Sequence, residues 1–155
     1  MQATHRTAPS SSVPAVSAAL LDLWQHLMHA SNTEFFAILE ELDVSIMQVK
    51  MLEALGSADA ELSVKELSER LSCSLPSSSR TIETLLQRGW LERREDEHDR
   101  RVKRVLVTAA GRDVIGRVNN VRLQNIERFV ATLDDRRRAK LADALGDLPT
   151  PASTD

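Results

Sequence analysis

Two clusters of side chains carry what chemistry this chain offers. In the first, SSSRTIET at 77–84, the hydroxyls of Ser77, Ser78, Ser79, Thr81 and Thr84 surround one guanidinium, Arg80. In the second, DEHDRRVKR at 96–104, Asp99 stands two residues before Arg101, with Arg100 between them and Lys103 and Arg104 following. Hydroxyls exchange single hydrogen bonds, and a guanidinium presents a planar fork suited to phosphate oxygens and paired acceptors. A carboxylate beside an arginine can hold that fork and reduce the entropy it loses on insertion into a site, of order 1–2 kcal/mol. This is chemistry for binding anions and polar edges.

Bond-making chemistry needs other patterns. The sequence has no glycine-rich phosphate loop, no HExxH, no nucleophile elbow and no CxxC pair, and no histidine stands out as a partner for the serines. No catalytic residue and no cofactor is expected. Asp22, His26 and His29, at i, i+4 and i+7, share a helix face, but no second cluster completes a metal site, so none is assigned. The single cysteine, Cys73, excludes an intrachain disulfide.

The elements that must position these clusters are mostly helical. Among 155 residues, 42% are hydrophobic and 28% charged, whereas aromatics make up 3% with no tyrosine, so the core is aliphatic. Few glycines and much Leu, Ala, Glu and Arg favour helix. No apolar run approaches membrane-span length and the N-terminus lacks a signal-peptide core, so a cytoplasmic protein without a membrane partner is expected. The net charge of −3 argues against a polyanionic partner, yet residues 93–104 hold six Arg/Lys against four Asp/Glu. The field of one face matters more than the total.

Residues 1–13 have nothing to bury and are expected to be disordered. From Pro14 the residues Val16, Leu20, Leu23, Trp24, Leu27 and Met28 recur at helical spacing, in a helix that continues or bends after Ser31 and Asn32. Ser45 with Gln48, and Ser63 with Glu66, are capping boxes opening two short helices, the first stopped by Gly56 as a C′ residue. Ser74 and Pro76 open a third, closed by Gly89. The last two make a helix-turn-helix. WLERRE and RVKRVLV then pair as a two-stranded hairpin around the charged tip. Thr108 caps a long helix and Asp134 a final one. The expected organisation is a tail at 1–13, a helical region at 14–43, a helix-turn-helix with hairpin at 44–108, helices at 109–148 and a loose tail at 149–155.

A hairpin directly after the second helix of a helix-turn-helix is a wing. With LSERLSCSLPSSSRTIETLLQRGWLERR before it and DRRVKRVLVTAAG as wing, strand, Thr and Gly, the sequence resembles the MarR family of winged helix-turn-helix regulators. The likeness is strong over 44–111; Cys73 and Ser78 stand where the family usually has bulkier apolar residues. It implies a mainly α fold with a small β wing, dimerised through its N- and C-terminal helices. It also implies a repressor of transcription that binds double-stranded DNA at a pseudo-palindromic operator.

A major groove about 12 Å wide admits one helix with small polar and basic side chains. On a helical wheel, Ser78, Ile82 and Leu85 form one inward stripe; Leu75, Ser79, Ile82 and Leu86 form another. The resemblance favours the first, which leaves Ser77, Arg80, Thr81 and Thr84 facing DNA, with Ser79 at the margin. It further implies that Arg101, steadied by Asp99, probes the minor groove, whose narrowing raises its negative potential. Arg100, Lys103 and Arg104 contact phosphates or orient the wing. A small aromatic or anionic effector is implied beside Trp24, Leu27, Met28, Phe35 and Phe36. Some relatives use cysteine as a redox sensor, but a buried Cys73 thiol would be inert. The competing class is a winged helix used for protein–protein contact without DNA.

Overall fold

The computed structural model describes residues 12–58, 61–96, 99 and 101–149, with the side chains of 29–32 left aside. Six helices and three strands occur among them: α1 (Val13–Glu41), α2 (Ile46–Gly56), β1 (Leu62–Ser63), α3 (Val64–Arg70), α4 (Leu75–Gln87), β2 (Leu91–Glu95), β3 (Lys103–Val107), α5 (Ala109–Ala131) and α6 (Asp135–Gly146). None is long and apolar enough to cross a membrane. The tail expected to be disordered at 1–13 lies outside the described residues as far as 11, and α1 already begins at Val13. Of the tail at 149–155, residues 150–155 also lie outside them. α1 runs without interruption through Ser31 and Asn32.

The chain divides into two compact units, one of residues 33–122 and one of 1–32 with 123–155. In the first, Met51, Leu52, Leu67, Ile82, Leu85 and Val105 are fully enclosed, so α2, α3, α4 and β3 share one core. Each such aliphatic side chain contributes about 2 kcal/mol relative to exposure. A second cluster joins Leu39, Val44, Val49 and Val118. In the other unit the His26 ring meets Phe129 edge-on at 5.8 Å, and Val13, Leu20, Leu21, Trp24, Leu123, Leu145 and Leu148 are each more than half exposed.

Two expectations need correction. The sheet has three antiparallel strands in the order β1-β3-β2, because Leu62 and Ser63 pair with Val105 and Arg104 on the open edge of β3. A two-residue strand leaves no alternation to read. Gly56 is not a left-handed C′ residue either: it lies inside α2, whose C-cap is Ser57 at φ −96°. Its lack of a side chain serves packing instead, since a Cβ there would sit 3.1 Å from Ile115 Cδ1. Gly89 does have positive φ, +69°, and ends α4 with Gly89 N donating to Leu86 O and Trp90 N to Leu85 O.

Candidate nucleic-acid interface

The second helix of the helix-turn-helix is α4. Its inner stripe is Ser78, Ile82 and Leu85, all fully buried, while Leu75 is half exposed. The turn before it is tight without glycine: Ser72 takes φ 51°, and Cys73 N reaches back to Ser68 O at 3.0 Å. The two small residues at unusual positions answer each other, since the Cys73 sulfur and the buried Ser78 hydroxyl lie 3.0 Å apart. A buried hydroxyl needs such a partner. On the outer face Ser77, Ser79, Arg80 and Thr84 are exposed and Thr81 half-buried. Arg80 Nε approaches Pro76 O at 3.4 Å, and no acid pairs with its guanidinium among the described residues.

The wing is β2 and β3, joined in a register that sets Arg93 opposite Val105 and Glu95 opposite Lys103. Val105 and Val107 point into the core and anchor it. At the tip, Asp96 N donates to Val102 O at 3.1 Å and closes the loop. Here the expected fork is absent. The Asp99 carboxylate accepts the backbone N–H of Arg101 at 2.9 Å, and no acid holds the Arg101 guanidinium among the described residues. Asp99 thus shapes the turn from which an exposed Arg101 projects. Arg100 lies outside the described residues, and Lys103 pairs with Glu95 at 2.7 Å.

The partners that fix the wing are not legible in the sequence. Arg104, on β3, donates through Nε to Asp96 Oδ2 at 2.6 Å and through Nη1 to Glu66 Oε2 at 2.6 Å and Glu61 O at 3.2 Å. These bonds tie β3 to Asp96 at the wing tip and to α3. The hydrogen bond to Asp96, ahead of attraction to Glu66 and Glu61, holds Arg104 more firmly protonated against the cost of burial. Glu66 is the capping-box acid of α3, and the Ser63 backbone N–H it accepts at 2.6 Å is the main reason its carboxyl titrates below the ordinary 4.5. Glu83 on α4 meets Arg93 on β2 at 3.1 Å, tying the helix to the wing directly. Glu66 stands 38 residues from Arg104, a separation at which one sequence gives no signal.

Behind the wing, Thr108 Oγ1 donates to Gly89 O at 2.7 Å and accepts from Gly111 N at 3.1 Å, while Thr108 N donates to Trp90 O at 3.0 Å. One residue therefore joins the end of α4, the start of β2 and the start of α5. Arg88 braces the other side, donating to Leu42 O and the Asp43 carboxylate and covering the Trp90 ring at 4.6 Å.

The effector candidates divide between the units. Trp24, Leu27 and Met28 belong to one; Phe35 and Phe36 belong to the other, where the Arg122 guanidinium covers the Phe35 ring at 5.2 Å. The Asp22/His26/His29 trio rests on a side chain outside those described, and no group of three metal-ligating side chains occurs among the described residues.

The sequence model of the MarR family matches residues 42–102, from the end of α1 to the wing tip. No curated protein matches the chain. Among solved structures, a transcriptional regulator of Thermotoga maritima superimposes with a TM-score of 0.72 at 22% identity, covering 84% of this chain and 91% of its own. A MarR family protein of Bacillus stearothermophilus gives 0.67 at 19%, over 87% and 94%. A mutant S. aureus MepR bound to an oligodeoxyribonucleotide gives 0.67 at 19%, over 82% and 93%. At these identities the likeness shows a fold, and that fold agrees with the matched segment: residues 42–102 belong to the MarR family, in a chain built as a MarR-type winged helix.

Proposed function

We propose that this chain is a sequence-specific, double-stranded DNA-binding transcriptional regulator, acting in the cytoplasm as a homodimeric repressor on a pseudo-palindromic operator. The observation that carries the reading is the selective freedom of two arginines. Arg80, on the outer face of α4, and Arg101, at the wing tip, have no acidic partner among the described residues, while their basic neighbours Arg93, Arg94, Lys103 and Arg104 are all ion-paired. Unpaired cations on exposed elements suit a polyanion. Ser77, Ser79, Arg80, Thr81 and Thr84 enter the major groove, Arg80 taking a guanine edge; Arg101 enters the minor groove, Asp99 sets its turn, and Lys103 reaches a phosphate only by giving up Glu95. The apolar residues exposed in the unit of 1–32 and 123–155 support a second copy as partner, because single modules bind DNA weakly and such faces seek cover. Modulation by a small aromatic or anionic effector belongs to the same reading, on the strength of the resemblance.

The test is a salt titration of binding to duplex DNA from the chain's own promoter region. A steep fall of log K with log salt is expected, about 0.9 per neutralised phosphate, with marked weakening in Arg101→Ala. A flat titration, with Arg101→Ala indistinguishable from wild type, assigns the winged helix to protein–protein contact instead.

A further inference from the structure

The outer face of α4 has fewer free donors than its sequence suggests. Thr84 Oγ1 donates to Arg80 O at 3.1 Å, and Thr81 Oγ1 donates to Ser77 O at 3.1 Å. With its proton committed to the helix, each threonine keeps a methyl group and an oxygen lone pair for a ligand. Turning the proton outward would exchange one hydrogen bond for another, whereas burying the methyl adds to what is already made. Thr84 is exposed; Thr81 is half-buried.

The edges of the base pairs sort themselves against this set. In the major groove guanine shows two acceptors, N7 and O6, to which a threonine without a free proton has nothing to give. Adenine and cytosine each show an amino donor that the lone pair can accept, so the lone pair does not choose between the pairs; thymine alone adds a C5-methyl, beside O4. Arg80, one turn nearer the N-terminus, has the opposite character: its Nε lies toward Pro76 O, and its two Nη groups remain as a donor pair suited to guanine.

From this arrangement we infer that Thr84 is a specificity-determining residue that reads an A·T pair through the thymine methyl. The inference rests on the DNA-binding reading proposed above. It is tested by enriching duplexes from a random-sequence library on the purified full chain, then replacing each thymine of the enriched site by uracil, which deletes only the methyl. One position per half-site is expected where uracil weakens wild-type binding about fourfold, the worth of one buried methyl group. Thr84→Ser, which lacks the methyl, should bind the thymine and uracil duplexes alike; Thr84→Val, which keeps it, should retain the preference. Because each variant is compared with itself on two duplexes, a loss of folded protein cancels. A wild type indifferent to every uracil, or a preference that survives in Thr84→Ser, overturns the inference alone. Failure to enrich any duplex overturns the DNA-binding reading, and the inference with it.

Discussion

Gly111 and Gly116 lie five residues apart in the same helix, and the same substitution should push them in opposite directions. A Cβ built on Gly111 would sit 2.3 Å from Trp90 O and 2.8 Å from Val107 Cγ1. The nearer atom belongs to the backbone, and it already accepts the Thr108 N–H at 3.0 Å, so Trp90 cannot yield without loosening the junction of wing and α5. Losing that hydrogen bond costs about 1 kcal/mol and the overpacking about 1–3 kcal/mol more, offset by about 1 kcal/mol of helix propensity. Gly111→Ala should therefore destabilise by about 1–3 kcal/mol. At Gly116 nothing lies within 4 Å of the added carbon, so Gly116→Ala should keep the propensity gain of up to about 1 kcal/mol. The two variants should differ by about 2–4 kcal/mol, or roughly 4–16 °C in melting temperature for a chain of this size. Thermal unfolding followed by far-ultraviolet circular dichroism, at one fixed protein concentration, measures the difference. If Gly111→Ala melts at or above Gly116→Ala, the close approach of Trp90 to α5 is wrong.

Two further outcomes follow from the ion pairs under the wing. Glu66 titrates below its ordinary 4.5 when folded, so its contribution to stability is present above that value and is lost as pH falls through the lowered one. Wild type and Glu66→Gln should thus differ most near neutrality and converge in urea unfolding as pH falls through that lowered value, whereas a constant gap would show that the carboxylate charge is irrelevant. Arg104→Met keeps the apolar stem and removes the wing's clamp. Duplex affinity should fall while the salt slope stays as in wild type; a slope lowered by about one per subunit would mean that Arg104 neutralises a phosphate after all.

What was legible in the sequence is what is local. The capping boxes at Ser45 and Ser63, the Asp134 cap and the left-handed Gly89 are each decided within a few residues, and each forms as read. Gly56 shows the limit, because a glycine near a helix end signals either positive φ or close packing, and only the position of Ile115 decides. The fork between Asp99 and Arg101 failed for a related reason. Alternation along a strand puts residues i and i+2 on one side, but β2 ends at Glu95 and β3 starts at Lys103, so both lie in the turn, where a fixed N–H reaches the carboxylate before a flexible guanidinium does. Ser78 was legible as inward from the wheel and the resemblance together, yet its partner Cys73 was not, since a thiol–hydroxyl pair has no sequence signature.

The same pairings resolve the conflict between an acidic chain and a polyanionic partner. Residues 93–104 carry six basic side chains, and four of them, Arg93, Arg94, Lys103 and Arg104, are held by Glu83, Glu92, Glu95, Asp96 and Glu66. These acids subtract from net charge without subtracting from the charge of the tip, because they neutralise arginines used as fasteners. Such exposed pairs add little stability individually. Their effect is geometric: they join β2 and β3 to α3 and α4. On the proposed reading these ties reduce the ordering entropy that binding costs at β2 and β3, and leave that of the Arg101 side chain. A mobile wing with more free arginines would attract DNA more strongly at a distance and read it less well on arrival. Composition cannot distinguish the two designs, since both have the same residues; only the partners of each arginine can.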